Sequence, residues 1–151
     1  MSLAYIGLGS NLGDRTSQLA MAVNHLAAHR DITLVARSSI VETEPVDLLD
    51  QPRFLNQVVA VKTVMGPREL LGALKEAERR LGRVPGVPKG PRTIDLDILL
   101  YDDMVMDTDD LTIPHREIRN REFVLRHLLE LDPDIVDPVT GKPFRTMLRS
   151  G

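Results

Sequence analysis

Residues 93–101 read TIDLDILLY, and this acidic strand decides how the rest of the chain is interpreted. Successive side chains of a strand point to opposite faces, so Asp95, Asp97, Leu99 and Tyr101 are predicted to share one face, with the even-numbered apolar residues on the other. Carboxylates at i and i+2 lie about 7 Å apart, close enough to hold divalent cations between them. Because the chain has no cysteine, such a site favours Mg²⁺. We predict that Asp95 and Asp97 are its ligands.

The alternative is a strand whose two acids simply face water, which is common for a D-x-D pair alone. The neighbouring sequence favours a site, because two acids in an otherwise apolar strand are costly unless cations meet them. The preceding loop, residues 83–92, reads RVPGVPKGPR and supplies Arg83, Lys89 and Arg92. Cations beside a metal site indicate a phosphate substrate. For Arg83, an interaction with the end of the preceding helix remains the competing interpretation.

A second basic cluster follows the strand, where residues 113–123 read IPHREIRNREF. The imidazole of His115 can donate to a phosphate oxygen, and Arg121 adds a positive charge nearby. Both are predicted to serve the phosphate site. Arg116 and Arg119 are predicted to be solvated surface charges.

Hydrophobic periodicity predicts the order strand, helix, strand, strand, helix, strand, followed by one more helix. The predicted strands are 3–8, 32–43, 54–64 and 93–101, and the predicted helices are 14–30, 67–81 and 121–131. This order predicts an α+β fold, a ferredoxin-like split βαβ sandwich with a βαββαβ core and an added C-terminal helix. Within the second helix Glu78 lies on the apolar stripe, where it is either a ligand contact or an ordinary helix-edge acid.

Composition limits the partners and the location that we expect. The chain has 151 residues, the size of one domain over 1–151, and its formal net charge is -3, so no nucleic-acid or membrane partner is expected. Its first residues contain neither a basic stretch nor an apolar segment of bilayer length. The lack of cysteine fits the reducing cytoplasm. We therefore expect a cytoplasmic protein.

Three glycines near the start of the chain, Gly7, Gly9 and Gly13, suggest a dinucleotide-binding turn at first inspection. Their spacing is G-x-G-x-x-x-G, which does not match the G-x-G-x-x-G fingerprint, and no G-K-[ST] follows to form a P-loop. We interpret these glycines as a tight turn.

The stretch KGPRTIDLDILL, residues 89–100, resembles the signature of the 6-hydroxymethyl-7,8-dihydropterin pyrophosphokinases. The segments YIGLGSNLGDR, TEPV, QPRFLN, LGR, IPH and NREF also occur in family order, so the resemblance covers essentially the whole chain. It implies a ferredoxin-like monomer that binds ATP and two Mg²⁺ ions. It also implies transfer of diphosphate from ATP to a pterin alcohol, a step of folate biosynthesis, with AMP as the second product.

The resemblance also implies residue roles. The metal ligands are Asp95 and Asp97, and the triphosphate contacts are Arg83, Arg92, His115 and Arg121. The catalytic set is Arg83, Arg92, Asp97 and His115. Lys75 and Glu78 match positions near the ribose, and Ile98 and Thr112 match positions near the adenine. The pterin is expected between Phe54 and Phe123, with its edge on Asn56 and on Thr43, Glu44, Pro45 and Val46.

Two other functions compete with this interpretation. A metal-dependent phosphohydrolase would use Asp95 and Asp97 to activate water and would need no aromatic sandwich. A non-catalytic module on the same fold would bind ATP without consuming it.

Overall fold

The structure is a computed structural model that describes residues 1–44, 52–82 and 94–148. These residues form seven strands, three α-helices and two short 3₁₀ helices. The strands are β1 (Ser2–Ser10), β2 (Ile32–Arg37), β3 (Val41–Thr43), β4 (Phe54–Thr63), β5 (Asp95–Tyr101), β6 (Met106–Asp107) and β7 (Thr112–Ile113). The helices are α1 (Arg15–Ala28), α2 (Pro67–Arg80) and α3 (Glu122–Leu131), with 3₁₀ helices at Arg116–Arg119 and Phe144–Met147.

The main sheet is antiparallel and has the order β2-β4-β1-β5, with β3 also paired to β4. The predicted α+β class is confirmed. One predicted strand, 32–43, is wrong as a single element, because it divides into β2 and β3 around Ser38. The buried Ser38 hydroxyl accepts a hydrogen bond from the Val58 amide at 2.9 Å, so a side chain replaces a backbone partner there. The strand therefore breaks where the sequence is still typical of a β-strand.

The helices lie on both faces of the sheet. Helices α1 and α2 cover one face and bury its core, which includes Ile6, Leu19, Leu70 and Leu74. Helix α3 packs on the opposite face. The sequence predicted all three helices, and Asp14 is the N-cap of α1 as expected, since its carboxylate accepts from the Ser17 amide at 3.1 Å.

The predicted alternation of side chains holds at the start of β5 and fails at its end. The pairing of β1 with β5 shifts between Tyr5 and Ile6, so that Leu99 is an extra residue, a β-bulge. Leu100 consequently packs with Leu99 on the α3 face, and Tyr101 joins the α1/α2 core. There the Tyr101 hydroxyl donates a hydrogen bond to the Met65 carbonyl. The predictions for Leu100 and Tyr101 were wrong because a single bulge reverses every later side chain.

Among the described residues, the helices are too short or too polar for any of them to cross a bilayer.

Candidate active site

A pocket of about 370 Å³ opens on the α3 face of the sheet. Its walls come from four strands of the sheet, the turn that precedes α3, and α3 itself. The polar and aromatic residues that line it are Thr43, Glu44, Phe54, Asn56, Gln57, Asp95, Asp97, His115, Glu117, Arg121, Phe123 and His127. The pocket thus brings together most of the predicted site residues that the structure describes.

Glycines form the floor of this pocket. Gly9 pairs with Asn56 on one side and Asp95 on the other, and Gly7 pairs with Asp97. The interpretation of Gly7 and Gly9 as part of a tight turn was wrong, because both lie within β1. A Cβ atom on Gly9 would approach Asn56 Oδ1 to 3.2 Å, which is tighter than ordinary contact. Glycine therefore keeps the floor clear between the acidic strand and the strand that carries Asn56.

The two aspartates stand in adjacent positions on the pocket side of β5, as predicted. Asp95 is half-buried, and Asp97 reaches the solvent of the pocket. Removal from bulk water nevertheless raises the pKa of Asp97, and the nearby charge of Asp95 acts in the same direction. The electrostatic interactions of Asp97 with His115 and with the Lys75 ammonium oppose this rise. A cation that binds beside such a carboxylate stabilises its charged form.

The β-bulge in β5 helps to position His115. The Leu99 carbonyl accepts a hydrogen bond from the His115 amide at 2.9 Å. The Nδ1 atom of His115 in turn accepts from the Glu117 amide at 3.1 Å. With Nδ1 acting as an acceptor, the proton of the neutral ring lies on Nε2. His115 thereby presents a hydrogen-bond donor, which suits a phosphate oxygen.

The arginines near His115 have different roles. Arg121 lines the pocket at the N-cap of α3, with Nε 3.6 Å from a Glu117 carboxylate oxygen. Arg116 is exposed and pairs loosely with Asp107 at 3.7 Å. Arg119 is exposed, as predicted, and it also binds the buried Asp137 carboxylate at 2.6 Å. Its partner is distant in sequence, which is why the local charge pattern did not reveal the pair.

At the aromatic part of the pocket, Phe54 and Phe123 are both half-buried and both line the cavity. Asn56, which also lines the pocket, donates from Nδ2 to the Thr43 hydroxyl at 2.6 Å, and this bond orients its amide. Glu44 is exposed and binds Arg53 at 2.8 Å. Flat aromatic faces beside an oriented amide suit a flat heterocycle with polar edges.

The four residues expected near the nucleotide lie outside the lining of this pocket. Ile98 is buried in the core under α1 and α2, and Lys75 is exposed on α2. Thr112 lies on β7, where its hydroxyl donates to Asp107 at 3.3 Å. The nearly buried Glu78 carboxylate accepts from the Leu96 amide at 2.8 Å. Glu78 therefore holds the backbone of β5 between the two aspartates.

Arg83, Arg92, Pro45 and Val46 lie outside the described residues. Among the residues that are described, no group of three or more His, Cys, Asp or Glu side chains is arranged to hold a metal ion. Sequence reasoning missed the glycine floor and His127. The position of His127 four residues after Phe123 on α3 was the signal that could have revealed it.

Known proteins resemble the chain along most of its length. A family model described as 7,8-dihydro-6-hydroxymethylpterin-pyrophosphokinase (HPPK) matches residues 5–133. The 2-amino-4-hydroxy-6-hydroxymethyldihydropteridine pyrophosphokinase of Methylorubrum extorquens is 46% identical over 148 residues, which cover 98% of this chain and 92% of that protein. The corresponding protein of Bacillus subtilis is 46% identical over 140 residues, covering 93% of this chain and 84% of that protein.

Some similar proteins are much longer. The folic acid synthesis protein fol1 of Schizosaccharomyces pombe is 45% identical over 146 residues, 97% of this chain, but the match spans only 20% of fol1. A crystal structure of wild-type Plasmodium falciparum HPPK-DHPS matches with a TM-score of 0.72 at 17% identity. That match covers 97% of this chain and 43% of the Plasmodium chain, and it supports a shared fold alone.

Proposed function

The chain belongs to the 7,8-dihydro-6-hydroxymethylpterin-pyrophosphokinase family, and on that basis we propose how its residues transfer diphosphate from ATP to hydroxymethyldihydropterin in folate synthesis. One observation carries the proposal. A single pocket combines a carboxylate pair, the hydrogen-bond donor His115 and the cationic Arg121 with an aromatic and amide group suited to a heterocycle. A polyphosphate and a pterin alcohol can therefore bind side by side.

Asp95 and Asp97 are proposed to hold two Mg²⁺ ions together with the phosphate oxygens of ATP. The donor set fits, because Mg²⁺ is commonly bound through one or two carboxylates, with waters and substrate phosphates completing its shell. The raised pKa of Asp97 supports the same assignment, since a bound cation compensates a carboxylate whose charge is disfavoured. When bound, the ions would neutralise the charge on the reacting phosphate oxygens.

His115 and Arg121 are proposed to contact the triphosphate. Nε2 of His115 is the available donor, because Nδ1 already accepts from the Glu117 amide. Arg121 lines the same pocket and adds a charge that is only partly satisfied by Glu117 at 3.6 Å. Arg83 and Arg92, which lie outside the described residues, are proposed as further triphosphate contacts from the family resemblance.

The pterin is proposed to stack between Phe54 and Phe123, with its polar edge on Asn56 and the backbone near Thr43 and Glu44. The fixed Asn56 amide supports this arrangement. Pro45 and Val46, outside the described residues, are proposed to complete the edge.

The proposed reaction needs no protein nucleophile. The hydroxymethyl oxygen of the pterin attacks the β-phosphorus of ATP in line, the bond from that phosphorus to the oxygen of the α-phosphate breaks, and AMP leaves. We hypothesise that the alcohol proton passes either to solvent or to Asp97. The residues of the pocket mainly position the two substrates and offset the developing charge.

For the nucleotide itself, Lys75 and Glu78 are proposed to lie near the ribose, and Ile98 and Thr112 near the adenine. The family resemblance is the support for these four roles.

The sheet order β2-β4-β1-β5 supports the finer description of the fold as a ferredoxin-like split βαβ sandwich over residues 1–151. We also propose that the protein acts as a monomer in the cytoplasm, without nucleic-acid or membrane partners. The family resemblance supports the monomer, the net charge of -3 supports the lack of nucleic-acid and membrane partners, and the lack of cysteine supports the cytoplasm.

The proposal is tested by AMP formation from ATP, with Mg²⁺ and 6-hydroxymethyl-7,8-dihydropterin each present or omitted. We expect AMP only when both are present. ATP consumption without pterin would indicate a phosphohydrolase instead. ATP binding without any AMP would indicate a non-catalytic module.

A further inference from the structure

His127 lies deep in the pocket and has no part in the proposed chemistry. It is on α3, one turn after Phe123, and only 3% of its surface is exposed. The two rings meet edge to face, with centroids 6.4 Å apart and an interplanar angle of 79°. His127 nevertheless lines the pocket that also contains Phe54 and Asn56. A buried polar ring beside a ligand site requires an explanation.

The two nitrogens of this ring have different surroundings. Nδ1 is fully buried, and among the described residues it has no hydrogen-bond partner. A neutral imidazole carries its proton on one nitrogen only, and a buried N–H without a partner is costly and rare. The proton is therefore favoured on Nε2, which leaves only a lone pair buried at Nδ1. Because the side chain lines the pocket and Nδ1 has almost no accessible surface, we infer that the Nε2 edge faces a ligand.

The neutral form of the ring is also favoured. Burial lowers the pKa of His127, although the carboxylate of Glu130 opposes this change. Glu130 itself is engaged elsewhere, because it accepts from the amide and hydroxyl of Ser39 at 2.6 and 2.9 Å. His127 thus presents a single neutral donor at neutral pH.

We propose that His127 determines pterin specificity: its Nε2–H donates a hydrogen bond to a ring nitrogen or carbonyl oxygen of the heterocycle between Phe54 and Phe123. This inference rests on the proposed function. A heterocycle with carbon at that position would cover this donor without accepting a hydrogen bond from it, so it binds less tightly. His127 lies outside the motif segments on which the family resemblance rests.

Three variants test the position of the donor. In His127→Gln the amide nitrogen can reach the place of Nε2, in His127→Asn it lies near Nδ1, and in His127→Leu no donor remains. The dissociation constant of 6-hydroxymethyl-7,8-dihydropterin is measured by calorimetry, with Mg²⁺ and the non-transferable analogue α,β-methylene-ATP present. We expect the Gln variant to stay within about twofold of the natural chain, and the Asn and Leu variants to bind about five- to tenfold more weakly.

Nucleotide affinity and melting temperature, measured on the same samples, separate a local effect from a folding defect. If the Leu variant does not fold, the comparison of Gln with Asn still decides the outcome. Equal pterin affinity in all variants, or equal loss in Gln and Asn, would overturn the role of His127. Failure of the natural chain to form AMP would instead count against the proposed function, which makes the two failures distinguishable.

Discussion

The two faces of the central sheet use the same strands for opposite purposes. Toward α1 and α2, β1 and β5 present Ile6, Leu8 and Leu96, which are almost fully buried. One residue along each strand, toward α3, the same backbone presents Gly7, Gly9, Asp95 and Asp97. Neighbouring residues in the sequence therefore contribute either to stability or to the site. Substitutions on one face should affect folding, and substitutions on the other should affect catalysis.

The largest effect is expected at Asp97. Asp97→Ala should lower turnover by about 10³-fold or more, because a proposed metal ligand at the reacting phosphates is lost. The fold should remain intact, which circular dichroism and urea denaturation would check. Asp103→Ala is the matched control, since Asp103 is exposed in the turn after β5. Near-normal turnover of the Asp97 variant would contradict the metal assignment.

The second prediction concerns the opposite face. Leu74 on α2 has no exposed surface, so Leu74→Ala should lower the free energy of unfolding by about 2–5 kcal/mol. Turnover at a temperature where the variant remains folded should change little. Met21→Ala, at an exposed position of α1, serves as the control and should cost under about 0.5 kcal/mol. A large loss of turnover in folded Leu74→Ala would show that the two faces are not independent.

Glu78 should be an exception to this division, because a substitution on the α1/α2 face should here affect the active site. It belongs to α2, yet its carboxylate holds the Leu96 amide between the two aspartates. Glu78→Leu should raise the Mg²⁺ concentration for half-maximal activity by about tenfold, because that amide loses a charged acceptor. Glu78→Gln retains an acceptor oxygen, so its Mg²⁺ concentration for half-maximal activity should stay close to that of the natural chain. If Gln instead weakens ATP binding while metal dependence is normal, the ribose contact is the main role.

The smallest effect should be seen in the stability of the metal-free protein. Because the pKa of Asp97 is raised in the folded state, its contribution to stability is present at low pH and is lost as pH rises through that pKa. At pH 7 the metal-free Asp97→Asn variant should therefore melt at a higher temperature than the natural chain. The difference should shrink as the pH is lowered toward the pKa. A lower melting temperature for the Asp97→Asn variant than for the natural chain at pH 7 would contradict the raised pKa of Asp97.

Much of the fold was predictable because its signals are local. The N-cap at Asp14, the apolar stripe of α2 and the D-x-D strand all depend on residues within a few positions of one another. The features that were missed depend on distant partners. Ser38 breaks the predicted strand by bonding to Val58, and the bulge at Leu99 exists only relative to β1. No periodicity within one segment contains that information.

The candidate site divides in the same way. The pair Asp95 and Asp97 was predicted from spacing, and His115 from its basic neighbours, and both lie in the pocket. Phe54, Asn56 and Phe123 required the family resemblance, because single aromatic residues are usually core residues. His127 and the glycine floor were missed, since a lone histidine on an apolar helix and glycines beside a turn have commoner explanations. Only the packing of α3 over β1 and β4 brings them together.

The glycine floor of the pocket also has a consequence for inhibitor resistance. A compound that packs against the backbone of Gly7 and Gly9 contacts atoms that every substitution retains. Any substitution at Gly9 adds a Cβ atom within 3.2 Å of Asn56 Oδ1 and takes space from the pocket. An escape mutation there would exclude the drug and the substrate together, so this floor is where an inhibitor should make its main contacts.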